Sequence, residues 1–232
     1  MNFSISSYWA QGDAISHMVA YLLLAMSLAS WFTILSKAWA AWRVRRSAGV
    51  LDSFWKAPTM GDAIAMANAA DSDNIYAPLA SKALHAADPS TQAGSLSAGT
   101  AATDLITRSL RQEMNRITVK LETGLTLLAS IGSTAPFVGL LGTVWGIYHA
   151  LTEVSASGIV QIDKIAGPVG EALIMTALGL MVAIPAVLSY NALNRVNRIT
   201  MAELDAFAYD LHAHLSKAFA ADGAGAGAGG RK

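Results

Sequence analysis

Three apolar stretches, residues 15–36, 124–150 and 165–190, decide what this chain can fold into, because each is long enough to cross a bilayer as a helix. A hydrocarbon core of about 30 Å takes roughly 20 residues at 1.5 Å each. Lipid offers no hydrogen bonds, so segments that pair their own backbone groups are the expected form. The three stretches together hold one formally charged residue, Glu171, in the run Gly167-Pro168-Val169-Gly170-Glu171-Ala172-Leu173. A carboxylate at that depth costs about 2.5–3.5 kcal/mol on insertion scales and usually faces protein or a water-filled path. Glu171 is therefore the leading candidate for an ion or proton route. Its structural alternative is a place in the first turn of a helix opened by Pro168, where the N-terminal dipole stabilises a carboxylate.

Composition agrees with a membrane chain: 53% of residues are hydrophobic, 14% are charged and the net charge is zero. Such a balance gives no pull toward nucleic acid. With no cysteine, disulfides, thiolate metal sites and cysteine nucleophiles are excluded. Residues 1–36 carry no Lys or Arg, so the first stretch lacks the basic start of a signal peptide and reads as a retained helix. Of the sixteen basic residues, ten lie between Lys37 and Lys120, five follow the third stretch, and Lys164 alone lies between the second and third. The positive-inside rule then places residues 1–14 and the loop 151–164 outside, and the segments 37–122 and 191–232 in the cytoplasm. Aromatic residues fit that frame. Tyr8, Trp9, Trp145 and Tyr148 fall near the outer interface, and Trp39, Trp42 and Tyr190 near the inner one. His17 and His149 sit at the outer interface, where an amphipathic ring is ordinary.

The cytoplasmic segment 37–122 has breaks at Pro58, Gly61, Pro78 and Pro89, which leave room for short helices at 61–71 and 76–87. Residues 88–100 read as a loop. From Ala101 the spacing of Leu105, Leu110, Met114, Ile117 and Leu121 predicts a helix, with Asp104 and Arg108 as a favourable i,i+4 pair. Nothing in the sequence stops this helix before the second apolar stretch, so one long helix is expected through residues 123–150. The third stretch is expected to continue as an amphipathic helix over 191–221. The Gly/Ala tail 222–232 reads as disordered. The fold class is thus an all-α membrane protein with three transmembrane helices, two of them extended into a cytoplasmic helical bundle.

Within the second stretch, Gly132, Gly139, Gly142 and Gly146 recur on one helix face, where another backbone can approach closely. Thr143 lies beside that stripe, either lining a polar passage or bonding its own i−4 carbonyl. Pro136 and Pro185 each free one carbonyl, those of Gly132 and Met181, and predict kinks; Ser133 or Thr134 is placed to take up the first. Thr176 follows Glu171 by five residues, about 140° around the helix. His212 and His214 are spaced poorly for a shared metal. No phosphate loop, nucleophile elbow or paired-histidine motif is present, so neither an enzyme nor a metal or other cofactor is expected.

The runs at 133–150 (STAPFVGLLGTVWGIYHA) and 167–191 (GPVGEALIMTALGLMVAIPAVLSYN) closely resemble the ExbB/TolQ family of bacterial inner-membrane motor subunits, and the ExbB branch more than the TolQ branch. The resemblance implies a homo-oligomeric ring, pentameric in known members, whose second and third helices line a central passage. It implies an ExbD-like transmembrane partner, a TonB-like protein that receives the work, and lipid around the ring. The polar pore positions it implies are Thr143, Glu171 and Thr176. The function it implies is proton-driven energising of outer-membrane import of iron complexes, haem or vitamin B12. A TolQ-like role in envelope integrity and a passive membrane scaffold are the alternatives.

Overall fold

The computed structural model describes residues 13–47, 49–71, 73–88, 102–157 and 162–228. Among them are seven helices and no strand: α1 (Ala14–Ser47), α2 (Val50–Phe54), α3 (Met60–Ala70), α4 (Tyr76–Ala87), α5 (Ala102–Glu122), α6 (Leu125–Ser157) and α7 (Ile162–Ala228). Three regions are long and apolar enough to cross a membrane: Ala14–Val44, Ala102–Ser155 and Ala166–Ala218. The chain divides into two compact units, residues 1–38 with 124–194, and residues 39–123 with 195–232. The segment 1–12, with Tyr8 and Trp9, lies outside the described residues. So do the loop 89–101, the middle of the 151–164 loop and the last residues of the tail.

The helix expected to run unbroken into the second stretch is interrupted at Thr123–Gly124. Gly124 has φ +84°, a conformation that glycine adopts without Cβ strain, and the Thr33 methyl lies 3.1 Å from where a Cβ would sit. Asp104 and Arg108 form no ion pair among the described residues. At the other end, α7 continues through Ala228, into the stretch read as disordered from its glycines. The intervening alanines are the best helix formers, which offsets part of what glycine costs.

In the first unit α1, α6 and α7 turn apolar side chains outward: Phe32, Phe137 and Met181 are all exposed. That is the pattern for helices solvated by lipid, where small residues fill the inside of the bundle.

The second unit has a core of the soluble kind. Phe54, Tyr76, Leu79, Ile106, Leu110, Ile117, Leu204, Phe207 and Leu211 are buried together. Phe207 meets Phe54 and Tyr76 edge-on, with ring centroids 5.1 and 6.1 Å apart. Burying one such side chain is worth about 1.5–3 kcal/mol. The buried stripe of α5 is Ile106, Leu110, Glu113 and Ile117, so its centre lies off the Leu105-led stripe that spacing alone suggests. Glu113 is tolerated there because Lys82 and Arg116 pair with it.

Two caps set the short helices. Thr59 Oγ1 accepts from the Asp62 N–H at 3.1 Å and donates to the Asp62 carboxylate at 2.7 Å, opening α3. Buried Asp71 accepts from the N–H groups of Ile75, Tyr76 and Ala77 at 2.6, 2.6 and 3.0 Å through one carboxylate oxygen. Pro78 comes next and has no N–H to satisfy, so a residue read as a break sits in the first turn of α4 without an orphaned donor. Burial pushes the Tyr76 hydroxyl up to about 12, with the Glu203 and Asp71 carboxylates adding to the rise.

Candidate functional site

The site lies in the first unit, where α6 and α7 pack along a seam of glycines. A Cβ on Gly139 would stand 2.6 Å from the Met175 carbonyl oxygen and 3.1 Å from the Gly179 Cα. A Cβ on Gly179 would stand 2.7 Å from the Ala135 carbonyl oxygen. Carbon atoms do not approach oxygen that closely outside covalent geometry, so these backbones touch only because both side chains are missing. The seam runs on in both directions. Gly132 faces Val187, Gly146 faces Ala172, and Gly142 faces both Met175 and Val19 of α1.

This contact brings two hydroxyls together. Thr143 of α6 is buried and donates to its own-helix carbonyl at Leu140, at 2.7 Å. Having spent its one proton, its oxygen remains an acceptor, and half-buried Thr176 of α7 donates to it at 3.4 Å. The acceptor carbonyl is i−3, where sequence reasoning named i−4. Thr143 thus bonds a carbonyl of its own helix and also meets a hydroxyl of α7.

Glu171 is in α7, one residue before Ala172. Helix α7 begins at Ile162, not at Pro168, so Glu171 is about 13 Å along it. A first-turn, dipole-stabilised carboxylate is therefore not its situation. The placement of its side chain lies outside the described residues. Pro168 and Pro185 are both inside α7, and Pro136 is inside α6. Neither Ser133 nor Thr134 takes up the carbonyl freed by Pro136, as both hydroxyls donate to the Ser130 carbonyl instead, at 3.0 and 2.7 Å. Their short side chains reach back one turn along their own helix, and Gly132 is too near in register for either.

Three features escape a sequence reading. Gly179 meets the Ala135 and Gly139 backbone directly, yet it falls outside the glycine stripe of the second stretch. Ser30 and Thr33 of α1 are buried, Thr33 donating to the Ala29 carbonyl at 2.8 Å; the repeat of small hydroxyls three apart was the available signal. His149 lies between two carboxylates, those of Asp13 and Glu153. Among the described residues no cluster of His, Cys, Asp or Glu is arranged to hold a metal ion.

Comparison with known families matches residues 71–206 to the MotA/TolQ/ExbB proton channel family. The chain belongs to that family. Among curated proteins, the biopolymer transport protein ExbB of Xanthomonas campestris pv. campestris (strain B100) is 45% identical over 207 residues, covering 87% of this chain and 82% of that protein. ExbB of Neisseria meningitidis serogroup B is 40% identical over 210 residues, covering 88% and 93%. The Tol-Pal system protein TolQ of Haemophilus influenzae matches at 45% over 93 residues, covering 40% of this chain and 41% of that one. ExbB-like proteins thus align with most of the chain, and the TolQ match is partial. The family match runs from Asp71, whose carboxylate caps α4, through the α6–α7 seam and into the second unit's part of α7.

Proposed function

We propose that this protein is the ring-forming, ExbB-like subunit of a proton-driven motor in the bacterial inner membrane. With an ExbD-like partner inside the ring, it would energise TonB-dependent import of iron complexes, haem or vitamin B12. In this reading Thr143, Glu171 and Thr176 line the proton path, the N-terminus is periplasmic and the C-terminus cytoplasmic. The observation that carries it is the Thr143–Thr176 contact at 3.4 Å across a glycine seam. Two hydroxyls offer acceptor and donor groups in an otherwise apolar interface, and α7 supplies the single carboxylate of the membrane stretches. Alignment of ExbB proteins along most of the chain supports the ExbB branch.

The energetics are adequate. One charge moved across 100 mV releases about 2.3 kcal/mol, so a few protons can drive a mechanical step. A carboxyl group can donate a hydrogen bond when protonated and accept one when ionised, so it can serve as a relay or as a partner for a second acid. Neither role requires a metal or an organic cofactor.

Glu171→Gln tests the reading, since it keeps shape and removes the titrating group. In a strain lacking the native protein, growth on a siderophore or haem as sole iron source is measured, with ring assembly and detergent sensitivity in parallel. Lost iron-dependent growth with intact assembly is the expected result. Normal growth sinks the role given to Glu171, and lost assembly supports a scaffold. A wild-type gene that restores detergent resistance but never iron uptake assigns the chain to the TolQ branch.

A further inference from the structure

His149 is held between two acids at one end of the first unit. Its Nδ1 lies 3.0 Å from Asp13 Oδ2, and its Nε2 lies 3.3 Å from Glu153 Oε1. Asp13 immediately precedes α1, and its carbonyl accepts the first helical bond, from the His17 N–H at 3.0 Å. Glu153 is one turn beyond His149 on α6. The first contact therefore joins the very start of α1 to α6, and the second draws on the same imidazole from within α6.

Ionised carboxylates only accept hydrogen bonds, and a neutral imidazole has one N–H. Both contacts are satisfied together only when both ring nitrogens carry protons. In the neutral ring, one nitrogen turns a lone pair toward a carboxylate, and the two acids compete for the proton that remains. Bonds from the charged ring are also about twice as strong as those from the neutral one. Among the described residues, the charged groups that face the ring are Asp13, just before α1, and Glu153 of α6, and His17 stands one turn along α1 from Asp13. On α7 the side chains of residues 162–165 and of Glu171 lie outside the described set.

We propose that Asp13, His149 and Glu153 form a proton-dependent clasp that fastens the start of α1 to α6 when His149 is doubly protonated and loosens it when the ring is neutral. Three residues before His149, Gly146 rests against Ala172, the neighbour of Glu171 in α7. The clasp thus acts on the helix that packs against α7 at Ala172, the residue after Glu171. It stands whether or not the motor reading holds; in the proposed orientation it samples the periplasmic side.

The chain has no cysteine, so a labelled pair is unambiguous. Met18→Cys on α1 and Leu151→Cys on α6 are exposed positions flanking the clasp. Spin labels there, in full-length protein in nanodiscs diluted with unlabelled copies, report the α1–α6 distance by electron–electron resonance. The expected result is a narrow distribution at about pH 5.5 that broadens toward longer distances at about pH 8.5. His149→Gln and, separately, Asp13→Asn should abolish the pH response, and His17→Gln should keep it. A wild-type distribution that does not change with pH overturns the proposal. A pH response that survives both His149→Gln and Asp13→Asn overturns it equally.

Discussion

Gly139→Ala is the substitution whose consequence the structure specifies most closely. The new Cβ would stand 2.6 Å from the Met175 carbonyl oxygen, 3.1 Å from the Gly179 Cα and 3.2 Å from the Thr176 Cα. All three are backbone atoms, so no side chain can swing aside. A tolerable carbon–oxygen approach is about 3.3 Å, so α6 and α7 must part locally by roughly 0.7 Å. Overpacking of this kind costs about 1–3 kcal/mol. The same movement would stretch the Thr143–Thr176 contact from 3.4 Å to beyond hydrogen-bonding reach. Gly167→Ala is the matched control, because a Cβ there meets nothing within 4 Å. Thermal unfolding in detergent, followed by tryptophan fluorescence, should show Gly139→Ala clearly below wild type and Gly167→Ala at or slightly above it. Gly142→Ala should fall between, since its nearest neighbours are the Met175 and Val19 side chains at 3.0 and 3.1 Å, which can give. Equal stability for Gly139→Ala and Gly167→Ala would refute the claim that the missing side chain at 139 holds the seam.

The remaining predictions concern the second unit and the α5–α6 break. Tyr76 has its hydroxyl raised from 10.0 to about 12 by burial and by the Glu203 and Asp71 carboxylates. The folded state thus holds that proton more tightly than the unfolded one, and the associated stability is intact below pH 10 and lost as pH rises toward about 12. Tyr76→Phe should therefore shift the alkaline unfolding midpoint upward, as read by circular dichroism against pH. Asp71→Ala strands the N–H groups of Ile75, Tyr76 and Ala77 and should lower stability by about 1–3 kcal/mol in denaturant titration. Asp71→Asn, which keeps an acceptor, should recover part of that. Gly124→Ala forces a Cβ into the left-handed region beside the Thr33 methyl and should cost about 1–2 kcal/mol in the same assay.

Much of this architecture is legible because its cause is local. An apolar run of bilayer length has few options, so the three spanning regions follow from composition alone. Helices α3 and α4 emerge within a residue of the expected 61–71 and 76–87, because capping groups lie a few residues from the donors they satisfy. What was not legible depends on contacts across long stretches of chain. Nothing around Gly124 announces that Thr33 will approach it and that the backbone will turn there. The stripe on α5 is read from Leu105 because leucine and isoleucine are equivalent to a periodicity argument, and only the packing with α4 favours Ile106. His149 looks ordinary beside its sequence neighbours, since Asp13, one of the two groups that give it a role, lies far from it along the chain.

The glycine stripe and the polar positions invite two separate readings, one of close packing and one of a polar path. The geometry makes them a single contact. Thr143 and Thr176 are within reach only because Gly139 and Gly179 let the backbones meet one turn away, where either Cβ would collide with a carbonyl. Removing the hydroxyls alone would therefore leave the seam closed, whereas filling the seam would remove the hydroxyl contact as well. Thr143→Val and Gly139→Ala separate the two effects. Thr143→Val retains the branched shape and should keep stability near wild type, because the Leu140 carbonyl that loses its extra donor still has its helical partner. If iron-dependent growth falls in Thr143→Val while unfolding and assembly are unchanged, the hydroxyl serves the path and the glycines serve the hydroxyl. If growth follows stability through both variants, the pair is a packing detail and the polar path must run elsewhere along α7.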